Sequence, residues 1–283
     1  MNASRPTPAP FGLLLDVDGP IASPLTRTIA IDSIVDDLLT LAAAGIPIAF
    51  ITGRSDHFMR SQVIARLVGV GPDHGGLDAG FHLFCVFEKG GCWSSVTPQG
   101  LSLLEIDTAV SVPPELRVAV ETLAREKYAD TMFVDEGKHV MISIEQRADV
   151  SAVDYRQAQL QCVFEVERLM LELEVGSGFR IDPTIISVDV ESVLLDKDRG
   201  AARALDWFSA RGVSAERWWS VGDSRSDYLM ADAVHARGIP VAHVDVRPGD
   251  GMLARPYDVV VEGDLVHDEA GAAFLRRRVA ELG

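Results

Sequence analysis

The sequence predicts an α/β protein, a parallel-sheet core interrupted by an inserted α+β module. Two observations carry that expectation. Short apolar runs ending in Gly or Asp recur towards both ends of the chain, each followed by helical spacing, as buried parallel strands with crossover helices do. Between them lies a stretch where apolar and polar residues alternate, the pattern of an antiparallel sheet with one dry and one wet face.

The core strands are read in FGLLLDV (11–17), IPIAFI (46–51), RWWSVG (217–222), IPVAHV (239–244) and YDVVV (257–261). Residues 31–44 and 201–211 carry helical periodicity and stop at Gly45 and Gly212, the glycines expected just past a helix end. In the middle of the chain, HVMISIEQ sets Val140, Ile142 and Ile144 on one face, and IISVDVE alternates Ile186, Val188 and Val190 with Ser187, Asp189 and Glu191. Leu116, Val120 and Leu123, and then Val163, Val166, Met170 and Leu173, recur at spacings of three and four and mark two helices. The expected domains are a core of 1–89 and 192–283 and an insert of 90–191. The apolar run 81–87 reads equally as the last core strand or the first strand of the insert. Neither internal repeats nor low-complexity tracts interrupt this pattern.

At 283 residues and 47% hydrophobic, the chain has ample material for a core. Its 26 basic residues against 42 acidic ones give a formal charge of -16, which repels nucleic-acid backbones and anionic membranes. A small phosphorylated metabolite stays compatible with such a protein where a few cations and a metal ion reverse the field locally. Cys85, Cys92 and Cys162 have no zinc-ligand spacing and read as reduced core thiols. The opening MNASRPTPAP lacks a secretory apolar stretch and reads as a frayed leader, and no run is long enough to span a bilayer, so a cytoplasmic address is expected.

Four segments carry chemistry. LLLDVDG (13–19) places Asp16 and Asp18 two positions apart just past an apolar strand, at the carboxyl edge where open α/β sheets bind ligands. Residues i and i+2 of an extended segment point the same way, so both carboxylates can face one centre; solvated turn aspartates are the plain alternative. An EF-hand loop is excluded, because Pro20 and Arg27 stand where calcium ligands belong. Thr52, Gly53, Arg54 and Ser55 follow the second strand and combine hydroxyls, backbone N–H groups and a forked cation, a phosphate cradle or, more simply, a helix cap. Asp223 and Asp227 in GDSRSD offer hard oxygens suited to Mg²⁺, with helix capping by Asp223 or Ser226 as the alternative. Lys197 enters a helix, where a lysine is ordinarily solvated.

Taken in this order and strand context, DVDG, TGR, Lys197 and GDSRSD resemble the haloacid dehalogenase-like phosphatases over about 11–60 and 190–250. The resemblance implies a Rossmann-like core with a C2-type cap. The insert's size and pattern look like the branch of sucrose-phosphate, trehalose-phosphate and mannosyl- or glucosyl-phosphoglycerate phosphatases and of phosphomannomutases. It further implies Asp16 as a nucleophile forming an aspartyl-phosphate and Asp18 as general acid and base. Thr52, with Gly53 and Arg54 beside it, would hold the phosphoryl group, and Lys197 would neutralise charge. Mg²⁺ would be bound by Asp16, Asp18 (through its carbonyl) and Asp223, with Asp227 a direct or outer-sphere ligand.

Two departures stand out: Pro20 replaces the usual Thr, and Asp198 follows Lys197 where Gly is usual. Hydrolysis of a small phosphomonoester is the expected activity, a phosphomutase and a catalytically silent sugar-phosphate binder being the alternatives. His57 reads as helix surface, and Trp93, Trp218 and Trp219 as packing. Glu88, Lys89 and Gly90, or Lys138 and His139, are candidates to reach substrate from the insert.

Overall fold

The computed structural model describes residues 7–69, 77–78 and 80–283. The first six residues of the expected leader lie outside them. Its remainder is not frayed: Ala9 donates to Ser214 O and accepts from Glu216 N, both at 2.9 Å. The chain divides into two compact units, Met1–Glu105 with Asp196–Gly283, and Ile106–Leu195.

In chain order the strands are β1 (Gly12–Leu15), β2 (Ile48–Ile51), β3 (Leu83–Phe87), β4 (Cys92–Thr97), β5 (Gly100–Leu101), β6 (Glu105–Ile106) and β7 (Met132–Val134). They continue as β8 (Ile142–Gln146), β9 (Phe179–Pro183), β10 (Ser187–Ser192), β11 (Trp218–Gly222), β12 (Val241–Asp245) and β13 (Asp258–Val260). The helices are α1 (Asp32–Ala43), α2 (Asp56–Phe58), α3 (Ala65–Val68), α4 (Pro114–Lys127), α5 (Ala152–Glu172), α6 (Lys197–Ala210), α7 (Tyr228–Ala236) and α8 (His267–Ala280). A π-helical stretch, Met59–Ile64, joins α2 to α3.

The larger unit is built on a sheet ordered β13-β12-β11-β1-β2-β3, parallel throughout, and extended by β4 and β5 running antiparallel. Every residue of β1, β2, β3 and β11 is buried, which is why these strands read as unbroken apolar runs rather than alternating ones. Leu14, Ala49, Ile51, Phe84 and Val86 pack on one face beneath Ala201, Ala204 and Phe208 of α6 and Met230 and Val234 of α7. Helices α1 and α8 pack together as a second pair.

The chain runs outward from β1 through β2 to β3, then returns to the other side of β1 for β11, β12 and β13. The strand order therefore reverses between β1 and β11, and open α/β sheets bind their ligands at the carboxyl ends of the strands at such a point.

The smaller unit is a four-stranded antiparallel sheet, β7-β8-β10-β9. Ile142, Ile144, Val188 and Val190 pack against Leu116 and Val120 of α4 and Tyr155, Cys162 and Val166 of α5.

Three expectations need correction. The insert begins at Ile106 and ends at Leu195 rather than spanning 90–191. Residues 92–101 pair antiparallel with β3 and with each other and extend the core sheet. Consequently Glu88, Lys89, Gly90 and Trp93 belong to the core unit, not the insert. The polar face of the smaller sheet is not wet either: Ser143, Glu145, Ser187, Asp189 and Glu191 are all buried. Alternation in sequence tells which residues share a face, and it does not tell whether polar partners dry that face.

Candidate active site

Asp16 follows directly on β1, its N–H bonded to Val221 O of β11 at 2.9 Å, so strand pairing carries its side chain to the switch point. Lys197, the first residue of α6, donates to Asp16 Oδ1 at 2.5 Å and to the Ile51 carbonyl at 2.8 Å, and lies 2.8 Å from Asp227 Oδ1. Gly200 makes this approach possible: a Cβ there would sit 2.5 Å from the Ile51 side chain. One turn beyond Lys197 and on the same helix face, this glycine lets the start of α6 lie against the end of β2. The glycine expected next to the lysine is thus replaced by one a turn away.

The first and fourth motif loops interlock. Gly19 has φ +98°, and a Cβ on it would come within 2.8 Å of the Asp223 carboxyl carbon. A Cβ on Gly271 of α8 would fall 1.8 Å from Pro20 O, so this helix packs directly on the loop that carries Asp18. Asp227 Oδ2 accepts from Ser224 Oγ at 2.7 Å and from the backbone N–H groups of Ser224 at 2.9 Å and Asp223 at 3.1 Å. Ser224 and Asp227 form a reciprocal capping box, so Asp227 shapes its own loop and also faces the lysine.

Thr52 is buried, and its hydroxyl accepts from Arg54 N–H at 3.0 Å. Arg54 forks onto Asp18, with Nε and Nη2 each 3.0 Å from a carboxylate oxygen. The Asp18 side chain is 38% exposed, the most accessible of the four motif carboxylates. Beneath this loop the segment Glu88–Lys89–Gly90 adopts left-handed φ values of 49°, 52° and 100° in succession. It donates Glu88 N–H to Arg54 O at 3.2 Å and Lys89 N–H to Thr52 O at 3.1 Å.

One oxygen from each of Asp16, Asp223 and Asp227 lies within 4.8 Å of the others. Burial and the neighbouring Asp227 charge push the Asp16 carboxyl well above the usual range, against the pull of Lys197. Burial and Asp227 likewise raise Asp223, to about 6. For Asp227, burial is outweighed by the charge and hydrogen bond of Lys197 and by Ser224, and the carboxyl is held below its ordinary value. Burial works against the Lys197 charge, but Asp16 and Asp227 overcome it and hold the ammonium above its usual range. Hard oxygens crowded beyond what one lysine neutralises are a donor set that fits a hard divalent cation.

The geometry thus brings Asp16, Asp18, Thr52, Gly53, Arg54, Lys197, Asp223 and Asp227 to one edge of the core sheet. His57 is exposed on its helix, Trp93 lies under the Arg203 guanidinium at 3.6 Å, and Trp218 and Trp219 are buried. Lys138 and His139 lie in the smaller unit. Three contributors escaped the sequence reading. The Ile51 carbonyl carries no residue-type signal at all. Arg247 and His267 stand 3.9 and 3.7 Å from Asp223 Oδ2, with no motif to announce them.

No family model matches the chain, and no curated protein matches its sequence. Its likeness is structural. The trehalose-6-phosphate phosphatase C-terminal domain of C. albicans superposes with a TM-score of 0.66 at 13% identity, covering 96% of this chain and 93% of that one. The chain has the haloacid dehalogenase-like fold. Trehalose-6-phosphate phosphatase of Aspergillus fumigatus matches this chain at TM-score 0.52 and 16% identity, over 96% of it and 92% of the other. An IMP-bound, N-terminally truncated IMP-nucleotidase of Plasmodium falciparum gives 0.55 at 9% identity, over 97% and 68%. The parallel sheet, and the antiparallel module inserted between β6 and α6, are the two parts of this haloacid dehalogenase-like architecture.

Proposed function

We propose that this chain is a Mg²⁺-dependent phosphomonoester hydrolase whose substrate is a small sugar phosphate or related metabolite. One observation carries the reading: the Asp16 carboxylate stands at the strand-order reversal, 2.5 Å from the Lys197 ammonium and within 4.8 Å of oxygens of Asp223 and Asp227. A nucleophile, a fixed cation and a hard-metal donor set held together are what phosphoryl transfer requires.

Asp16 attacks phosphorus, the P–O bond to the leaving alcohol breaks, and Asp18 gives that oxygen a proton. Water then attacks the aspartyl-phosphate, passes its proton to Asp18, and releases inorganic phosphate with Asp16 restored. Lys197 fixes the Asp16 carboxylate and offsets charge on the transferred group. Arg54, now forked on Asp18, is placed to take phosphoryl oxygens in exchange, which frees Asp18 for proton transfer. Thr52 keeps its hydroxyl proton for the same oxygens. Asp16, the Asp18 carbonyl and Asp223, with Asp227 beside them, would hold Mg²⁺. When bound, the ion supplies neutralising charge to the phosphoryl group and keeps Asp16 ionised.

The trehalose-6-phosphate phosphatase and IMP-nucleotidase neighbours support hydrolysis of a small phosphorylated metabolite, and the acidic surface disfavours polyanions. The test is phosphate release from a panel of phosphorylated sugars, nucleotides and p-nitrophenyl phosphate, with Mg²⁺ and with excess EDTA. Mg²⁺-dependent release from at least one compound is expected. Silence towards every compound at saturating Mg²⁺ would refute the proposal in favour of a binding protein, and isomer interconversion without release would point to a mutase.

A further inference from the structure

Helix α5 is apolar on two opposite sides. Tyr155, Cys162 and Val166 face the core of the smaller unit, while Val153, Leu160, Phe164 and Leu171 are 79%, 57%, 70% and 79% exposed. At 100° per residue, these four exposed side chains fall within about 20° of one line along the helix, diametrically across from the buried set. They form a seam about 27 Å long at 1.5 Å per residue. A surface helix normally carries one apolar stripe, and a second one signals a covering partner.

The order of residues along the seam says which partner. Val153 and Leu171 lie nine positions before and after Cys162, and Leu160 and Phe164 two positions before and after it. Rotation by a two-fold axis at the level of Cys162 sets Val153 against Leu171 and Leu160 against Phe164, so the seam is complementary to itself in an antiparallel pair. The flanking charges agree. Arg156 and Glu167 lie on the same side of the seam, six positions before and five after that level, and the same rotation brings each opposite the other.

We infer that this chain forms a two-fold dimer in which α5 packs antiparallel on α5 of a second copy, through Val153, Leu160, Phe164 and Leu171 and flanked by Arg156–Glu167 pairs. The net charge of -16 argues against an anionic lipid surface as the occupant. The inference is independent of the proposed activity, since it concerns only the smaller unit.

Size-exclusion chromatography with light scattering on the full chain at about 50 μM tests it, the expected mass being twice 30.6 kDa. Phe164→Asp should give the single-chain mass with an unchanged far-ultraviolet spectrum, because the ring is exposed and its loss opens no cavity. Arg156→Glu should raise the dimer dissociation constant at least several-fold, and Arg156→Glu combined with Glu167→Arg should restore it. A wild-type chain that stays monomeric at 100 μM overturns the inference, as does a Phe164→Asp variant that is still dimeric. Co-sedimentation of a monomer with phosphatidylglycerol-containing vesicles would also overturn it.

Discussion

The two units bury carboxylates in opposite ways. In the smaller one, Glu191 is fully buried but accepts a fork from Arg180 at 3.0 and 2.8 Å, and Asp189 accepts from Ser143 Oγ at 2.7 Å. Each of these two acids has its own donor. In the larger one, Asp16, Asp223 and Asp227 crowd together and Lys197 is shared between two of them. One-to-one matching makes a buried acid a structural element, whereas unrelieved crowding raises Asp16 and Asp223 and leaves a deficit for a cation to fill.

The sharpest way to break this contrast is Asp16→Asn. Turnover should fall more than about 10⁴-fold, over 5 kcal/mol of barrier, while thermal stability holds or rises because a frustrated charge is gone. Retention of more than about a hundredth of the wild-type kcat would show that Asp16 is not the nucleophile. Next in size is Lys197→Met, which strands Asp16 and Asp227 without their cation. Urea unfolding should show a loss of about 3–5 kcal/mol without metal, and Mg²⁺ should restore part of it.

His243 lies behind the site, fully buried, with Ser220 Oγ on Nδ1 at 2.7 Å, and burial lowers its pKa from 6.5 to about 4. The unfolded chain takes up a proton near the ordinary value while the folded chain resists it. The resulting stability is therefore present above 6.5 and is lost as pH falls towards 4. His243→Asn should reduce the stability difference between pH 7 and pH 5 by about 2 kcal/mol, read from urea midpoints. Smallest is Arg180→Met in the matched unit. Because Arg180 is 36% exposed and solvent screens the pair, the loss should be about 1 kcal/mol, with no rescue by Mg²⁺.

Much of the core was legible because strands buried on both faces must be apolar throughout: β1, β2 and β11 fall within their expected runs, and β12 exceeds its run only by Asp245. Helix α1 matched its 3.6-residue period to within a residue at each end, but α6 begins at Lys197, four residues before the periodic stretch, because its first turn is polar and faces the site. Strands β4 and β5 fell into the expected insert because a partly exposed antiparallel edge reads like the module that follows it, whereas the run of β3 was left open between the two. Among site residues, those in motif order were found. The Arg54 fork on Asp18 and the double engagement of Asp227 were not, because pairings between loops depend on tertiary placement rather than on spacing.

The left-handed turn at Glu88–Lys89–Gly90 has a consequence for ligand recognition. Its two hydrogen bonds fasten the backbone of Thr52 and Arg54 to the tip of the neighbouring strand, in a conformation that non-glycine residues adopt only under constraint. On the proposed reading, in which this loop receives the phosphoryl group, the entropy of arranging its backbone donors is spent during folding, and little of the attraction for phosphate would go into ordering the loop.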